Sequence, residues 1–180
     1  MKTNLGTNVA KNLAKSALFT TLMVVCAYVK IPLPVVPITF QLAVSILSGV
    51  FLGAGWGAFS MLAYCALGLV GLPVFALGGG FAYLFSPTFG YVIGFVASSA
   101  FCGLFCKKCT KFGGYLALSL IALALNYVIG IAYFTIIWLS VYGDGYLNAL
   151  ALYNLIYIIK DVAVCLLTAL VAVKCARLIK

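Results

Sequence analysis

Residues 150–173 read LALYNLIYIIKDVAVCLLTALVAV, an apolar run with a lysine and an aspartate, Lys160 and Asp161, at its centre. A bilayer core of about 30 Å needs roughly 20 helical residues, so this run can span a membrane. Each charge at the centre of such a helix costs about 2.5–3.5 kcal/mol on insertion scales. The pair therefore indicates a binding site. The alternative is that Lys160 snorkels towards the interface and facing hydroxyls or amides cap Asp161.

The two charges are adjacent in sequence. Consecutive residues on a helix point about 100° apart, so we expect that Lys160 and Asp161 do not simply neutralise each other. Each then needs a further partner from a neighbouring helix, water or a ligand.

Composition places the chain among integral membrane proteins. Hydrophobic residues make up 66% of the sequence and charged residues 7%, and the mean hydropathy is +1.25. These values leave too little polar surface for a soluble globule. The net charge of +9 comes from cations at the ends of apolar segments, as membrane topology requires, so it predicts no nucleic-acid partner.

We predict an all-α integral membrane protein with one domain, residues 1–180, built as a bundle of six transmembrane helices. Prolines, glycines and charges separate the spans. The predicted spans are 12–29, 38–52, 58–72, 91–106, 114–142 and 150–173. Residues 74–90 are too rich in Gly and Pro for a regular helix facing lipid, and irregular backbone at membrane depth is tolerated only where protein buries it or it lines a cavity.

Positive charges orient the predicted bundle. Three clusters fall on one side of six spans, and the opposite side carries only Lys30 and Asp144. The clusters are Lys2, Lys11 and Lys15; Lys107, Lys108 and Lys111; and Lys174, Arg177 and Lys180. Both termini are therefore expected in the cytoplasm. A cleaved signal peptide is the less favoured alternative, because no small-x-small site precedes the charged, proline-containing loop.

The residue inventory argues against catalysis. With no His, no Glu and two Asp, the chain lacks a Ser-His-Asp triad, a His-Glu metal motif and paired carboxylates. Gly78-Gly79-Gly80 is followed by no Gly-Lys-Ser/Thr, so it is not a phosphate loop. Cys102, Cys106 and Cys109 are one ligand short of a usual zinc site and are interpreted as small apolar filler. We expect a non-enzyme that binds no metal.

The sixth span has a polar stripe. Asn154, Asp161 and Thr168 recur every seven residues, with Cys165 and Ala172 near the same side, and this face is predicted to point inward. Tyr153 and Tyr157 lie one to two turns towards the outside and could stack on a ring-shaped ligand, although Tyr153 is equally suited to an interfacial anchor. On the fifth span, Asn126 is expected to hydrogen-bond between helices, with ligand contact the less favoured role.

Several motifs together resemble a known family. They are PVVPITFQ at 34–41, GLVGLPVF at 68–75, SPTFGYVIGF at 86–95 and the region around Asp161. Their order and spacing are similar to those of the BioY family, the biotin-specific S-components of energy-coupling-factor (ECF) transporters. The likeness extends from Ala17 to Ala172.

The resemblance implies capture of biotin from the outer side of the cytoplasmic membrane of a prokaryote, together with a transmembrane coupling protein and two cytoplasmic ATPases that use the ATP. No cofactor is expected in this chain. The outer segments at about 30–37 and 74–90 are expected to form or cover the site. Asp161 would accept hydrogen bonds from the ureido N–H groups of biotin. The candidate substrate-binding residues are Asp161, Lys160, Tyr157, Asn154, Gln41, Gly79, Thr88 and Tyr91.

The chain departs from the family pattern at two places. The family's sixth span typically has Asp-x-x-Lys, whereas Val164 stands three residues after Asp161. Lys160 lies one turn before Val164 on nearly the same stripe, and we hypothesise that it replaces the family's lysine. The family's first helix commonly presents Ala-x-x-x-Ala to the coupling protein; here the aligned pair is Ala17 and Thr21.

A second row of small residues, Gly6, Ala10 and Ala14, has the same spacing nearer the N-terminus. The partner-contact candidates are therefore Ala10, Ala14, Ala17 and Thr21, with packing inside the protein as the equal alternative. Two other function classes remain open: a proton-coupled or uniport small-vitamin carrier that titrates Asp161, and a structural membrane subunit without a ligand.

Overall fold

The computed structural model describes residues 3–29, 39–141, 145, 148, 150 and 156–179. Within these residues the regular secondary structure is helical, apart from one isolated bridge between Phe75 and Gly78. The helices are α1 (Thr3–Tyr28), α2 (Gln41–Leu69), α3 (Phe89–Phe105), α4 (Phe112–Val141) and α5 (Ile156–Ile179), with short 3₁₀ turns at Phe81–Phe85 and Cys106–Lys108.

Four of these helices are long and apolar enough to cross a membrane: α1 from Gly6, α2, α3 extended to Lys108, and α4. The predicted fourth and fifth spans are confirmed as α3 and α4 with shifts of one or two residues. The first begins earlier than predicted, at Thr3. The sixth is described at residue 150 and from Ile156 onward, and it is helical there. Among the described residues six separate helices are not present, because most of the predicted second and third spans falls within the single element α2.

The helix α2 reverses direction at Gly53. This residue has φ +79° and ψ 174°, a backbone conformation essentially restricted to glycine. A Cβ atom built on Gly57 would lie 2.8 Å from the Cα atom of Gly49, whereas eight residues along a straight helix span about 12 Å. Farther from the turn, Gln41 Nε2 donates a hydrogen bond to the Tyr64 hydroxyl over 2.6 Å. Residues 41–52 and 54–69 are therefore the two antiparallel arms of a helical hairpin.

Small residues let the hairpin pack closely on α3. A Cβ atom on Gly49 would lie 2.1 Å from the carbonyl oxygen of Ser99, and one on Gly103 would lie 2.1 Å from the nitrogen of Ala54. Buried serines bridge the same interface, since Ser48 Oγ and Ser99 Oγ share a hydrogen bond of 2.7 Å. In a membrane, apolar side chains contact lipid about as favourably as they contact protein. Helices there associate mainly through close backbone approach and interhelical hydrogen bonds.

The remaining helices pack on the hairpin and on one another. The hairpin packs against α1 and α3, α4 packs on α3, and α5 packs on α4 and touches α2. Cys102 and Cys165 are fully buried in the apolar core, which confirms the apolar-filler interpretation for Cys102. The predicted inward stripe of the sixth span is also confirmed from Asp161 onward: Asp161, Cys165, Thr168 and Ala172 are all buried. Asn154 and Tyr153 lie outside the described residues.

Candidate functional site

A cavity of about 110 Å³ lies at the open end of the hairpin, between α2, α3, α4 and α5. The segment between the hairpin and α3 forms part of its wall. This segment is irregular, as predicted, with a tight turn at Phe75–Gly78 followed by the 3₁₀ turn Phe81–Phe85. The lining residues are Thr39, Gln41, Leu42, Tyr64, Phe75, Ala76, Leu77, Tyr83, Thr88, Tyr91, Val92, Phe95, Asn126, Tyr127, Tyr157, Lys160 and Asp161.

The two charges of α5 form an ion pair inside this cavity. Lys160 Nζ contacts Asp161 Oδ1, and the side chains are 22% and 10% exposed, respectively. The expectation that the two would not neutralise each other is therefore wrong. It rested only on the angle of about 100° between the Cα–Cβ bonds of consecutive helical residues. The four-carbon stem of lysine has enough rotatable bonds to bring the ammonium group back to its neighbour.

Each member of the pair nevertheless has a further partner, as the sequence predicted. Tyr127 of α4 donates a hydrogen bond to Asp161 Oδ2 over 2.7 Å. Lys160 Nζ donates to the backbone carbonyl of Thr39, just before α2, over 3.3 Å. The charged pair thus ties α5 to α4 on one side and to the start of the hairpin on the other. The alternative to a ligand site was that a hydroxyl from a facing helix caps Asp161. The Tyr127 hydroxyl does so, and the carboxylate that it caps also lines the cavity.

An aromatic wall stands next to the carboxylate. The rings of Tyr91 and Tyr127 pack edge to face with centroids 5.7 Å apart. Gly130 makes room for this arrangement, because a Cβ atom there would lie 2.3 Å from the Tyr91 ring. Asn126 Nδ2 donates to the carbonyl of Tyr91 over 3.1 Å. This bond confirms the interhelical role predicted for Asn126, and the same residue also lines the cavity.

A second polar group lies where the hairpin opens. Gln41 Nε2 donates to the Tyr64 hydroxyl, which in turn donates to the carbonyl of Val74 over 3.0 Å. All three residues are buried. This chain of bonds fixes the irregular segment onto the ends of both arms of α2.

The third polar group belongs to the turn before α3. The Tyr83 and Thr88 hydroxyls lie 3.2 Å apart, and Ser86 Oγ lies 2.8 Å from Thr88 Oγ1. The Tyr83 ring packs on Phe75 with centroids 4.6 Å apart. Burial raises the pKa of the Tyr83 phenol above its ordinary value, so the hydroxyl keeps its proton at neutral pH and can donate a hydrogen bond.

The cavity brings together most of the binding residues predicted from the sequence. Those that line it are Gln41, Thr88, Tyr91, Tyr157, Lys160 and Asp161. Asn154 lies outside the described residues, as does the predicted outer segment at 30–37, apart from its continuation at Thr39. Gly79 does not line the cavity. A Cβ atom on it would lie 2.0 Å from the carbonyl oxygen of Leu72, so its place is a close backbone contact at the end of the hairpin.

Sequence reasoning missed the cavity residues Tyr64, Tyr83 and Tyr127. Tyr83 lies in the irregular segment that the sequence singled out, so its position carried a signal. Tyr127 follows Asn126 directly, and the intramembrane amide could have drawn attention to it. Tyr64 lies within an apolar helix, and no residue pattern around it indicates a site. It meets Gln41 only because the chain reverses direction at Gly53.

The four partner-contact candidates, Ala10, Ala14, Ala17 and Thr21, are all exposed on α1. Ala17 and Thr21 also line an open apolar groove of about 530 Å³ between α1 and the second arm of α2, whose other lining residues include Ala63 and Ala66. In the described structure these small residues are accessible at the surface of α1.

The fold and the site together define a class: a multi-pass helical membrane protein that encloses a small cavity with aromatic walls and one carboxylate–ammonium pair. Such a cavity can bind a compact ligand that combines an apolar ring with N–H donors. Comparison with known proteins is more specific, and the chain belongs to the BioY family, whose profile matches residues 1–180.

Individual relatives agree with this assignment. The chain is 38% identical to a "Probable biotin transporter BioY" of Lysinibacillus sphaericus over 72% of this chain and 68% of that protein. It is 39% identical to the "Biotin transporter BioY" of Thermotoga maritima over 67% and 72% of the two chains. A solved structure, the "S-component for biotin from an ECF-type ABC transporter", superposes with a TM-score of 0.81 at 25% identity, covering 95% of this chain and 93% of that one.

Proposed function

We propose that this protein captures biotin on the outer side of the cytoplasmic membrane and is the substrate-binding subunit of an ATP-driven ECF transporter. The observation that carries the proposal is the pair Asp161 and Lys160, held by Tyr127 inside the cavity of a chain that belongs to the BioY family. Its relatives are named biotin transporters, and none of the three compared is named as an enzyme.

The chemistry of biotin suits the cavity. Its ureido group offers two N–H donors and one carbonyl acceptor, its fused rings are apolar, and its tail ends in a carboxylate. Asp161 accepts a hydrogen bond from a ureido N–H group, a charge-assisted interaction worth about 1.5–3 kcal/mol net. Tyr91, Tyr127 and Tyr157 supply ring surface for the fused rings. Lys160 is close enough to the carboxylate of Asp161 to meet the ureido carbonyl as well, as its hypothesised replacement of the family's lysine requires.

The proposed membrane arrangement is one domain of six spans with both termini in the cytoplasm. The two antiparallel arms of α2 provide the second and third spans, and residues 150–173 provide the sixth. The three basic clusters then lie on the cytoplasmic side. The cavity end, which carries the irregular segment 74–90, faces outward, where biotin arrives.

Transport needs partners in this proposal, because the chain itself has no phosphate loop. A transmembrane coupling protein would pack on the small-residue surface of α1, and two cytoplasmic ATPases would supply the energy. No cofactor bound by this chain is required. The exposed row of Ala10, Ala14, Ala17 and Thr21 supports the proposed contact, since small residues four apart allow close helix approach.

Calorimetry on the purified protein in detergent tests the binding function. We expect saturable biotin binding with one site per chain, and loss of that binding in Asp161→Asn while circular dichroism and the thermal midpoint stay close to the wild type. Lipoate is a matched control ligand, because it has a sulfur-containing ring and a carboxylate tail but no urea. Equal binding of lipoate and biotin, or no biotin binding, would contradict the proposal.

Uptake measurements separate the ECF function from that of a carrier. Labelled biotin is followed in cells with and without the coupling protein and ATPases, each with and without a proton gradient. We expect uptake to require the partner subunits and ATP. Uptake that needs only the proton gradient would instead assign the protein to the proton-coupled carriers.

A further inference from the structure

The charges that line the cavity sum to zero. Among the described cavity-lining residues, Lys160 and Asp161 are the only two that are ordinarily charged at neutral pH. They are in direct contact with each other. Asp144, the second carboxylate of the chain, lies outside the described residues. The negative charge of the Asp161 carboxylate is therefore neutralised by Lys160 before any ligand binds.

The hydrogen-bonding capacity of Asp161 is not exhausted by its two partners. A carboxylate has about four lone-pair positions, and Lys160 and Tyr127 each use one, on Oδ1 and Oδ2 respectively. Acceptor positions remain for N–H donors of a ligand. Lys160 is held in place by its second bond, to the carbonyl of Thr39, so its charge stays beside the carboxylate.

We propose that Lys160 is a specificity-determining residue that makes the site selective for uncharged N–H donors, such as a urea, and excludes cationic ones, such as a guanidinium. A neutral urea can use the remaining acceptor positions of Asp161 without adding charge. A guanidinium would bring a second positive charge beside the ammonium group of Lys160, and like charges repel strongly where water is scarce. This inference rests on the proposed function and concerns how the same site chooses its ligand.

A pair of ligands tests the inference directly. 2-Iminobiotin replaces the ureido oxygen of biotin by an imine, and the resulting guanidine carries a proton at neutral pH. Both ligands are titrated into the purified full-length protein at neutral pH, and the ratio of their dissociation constants is measured for the wild type, Lys160→Met and Lys160→Arg. Lys174→Met is the matched control, since Lys174 is an exposed lysine of the same helix.

In the wild type we expect biotin to bind at least about tenfold more tightly than 2-iminobiotin. Lys160→Met should reduce this preference by about tenfold or more through tighter binding of 2-iminobiotin, because Asp161 then lacks its internal counter-ion and accepts a cation. Lys160→Arg and Lys174→Met should retain the preference. If Lys160→Met weakens both ligands by the same factor, or if the wild type does not discriminate between them, the inference is overturned.

The readouts distinguish this failure from failure of the proposed function. A wild type that binds biotin but not selectively over 2-iminobiotin contradicts only the role of Lys160. A wild type that binds neither contradicts the biotin function itself. If Lys160→Met does not fold, the comparison of wild type with Lys160→Arg still tests the claim, because a loss of discrimination in the arginine variant would contradict selection by charge.

Discussion

The phenolic hydroxyl of Tyr127 lies 2.7 Å from Asp161 Oδ2 and donates a hydrogen bond to it across the α4–α5 interface. Lys160 approaches the other carboxylate oxygen from the same helix as Asp161. The carboxylate is therefore held by two donors at different oxygens, which limits rotation about its terminal bond. Its remaining acceptor positions are fixed before a ligand arrives, and a preorganised acceptor loses less entropy on binding.

We predict that Tyr127→Phe weakens biotin binding by about tenfold, because the ring and its contact with Tyr91 remain while the carboxylate loses one of its two anchors. Calorimetry on the purified variant measures the effect. Tyr133→Phe is the control. The Tyr133 hydroxyl also donates a hydrogen bond from α4, to the carbonyl of Leu84 in the segment before α3, but Tyr133 does not line the cavity. Equal loss of affinity in both variants would show that the effect of Tyr127 is general loosening of α4.

Two tyrosines anchor neighbouring carbonyls of the irregular segment and differ in burial. Tyr64 is buried and donates to Val74, while Tyr28 is exposed and donates to Pro73 over 2.5 Å. Tyr64→Phe also removes the acceptor of the buried Gln41 amide, so we expect it to lower the free energy of unfolding by about 1–3 kcal/mol. Tyr28→Phe should cost less than about 1 kcal/mol, since water can replace the lost bond. Thermal unfolding in detergent compares the two.

The glycine at the hairpin turn provides a test of the fold. Gly53→Ala should destabilise the protein by about 1–3 kcal/mol, because its φ of +79° and ψ of 174° are strained for any residue with a Cβ atom. Gly55→Ala is the matched control: it lies two residues away, has no positive φ and would place its Cβ atom in open space. Alanine there should be neutral or slightly stabilising. Equal melting temperatures for the two variants would contradict the turn at Gly53.

The parts of the site that could be predicted from the sequence are those that a local pattern marks. Lys160 and Asp161 stand out because charges are costly inside an apolar helix. Asn126 stands out because a polar amide inside an apolar helix needs a hydrogen-bond partner. Thr88 and Tyr91 belong to one of the motifs that carry the family resemblance. The ion pair itself was not predictable from helix geometry, since it depends on how the flexible lysine stem bends.

Other parts depend on contacts between residues far apart in the chain. Gln41 meets Tyr64 only because the chain reverses at Gly53, and Tyr127 meets Asp161 only because α4 packs on α5. The partner of Lys160 at Thr39 is a backbone carbonyl, which every residue has and which no side-chain pattern can reveal. The glycine-rich stretch 53–57 predicted a loop of five residues between two spans. In the structure only Gly53 of this stretch is non-helical, and α2 continues on both sides of it.

The exposed face of α1 allows binding and coupling to be tested separately. Ala14→Trp places a large ring on the small-residue surface proposed to meet the coupling protein, while the cavity lies among α2, α3, α4 and α5. We expect biotin affinity of the purified variant to equal that of the wild type, and ATP-dependent uptake in cells with all subunits to fall by about tenfold or more, because a bulky side chain prevents close helix approach. Ala117→Trp, at an exposed alanine of α4, controls for the added ring and should leave uptake unchanged. Co-purification with the coupling protein gives an independent readout. Normal uptake and assembly by Ala14→Trp would mean that the partner binds elsewhere, whereas weakened biotin binding would mean that α1 supports the cavity.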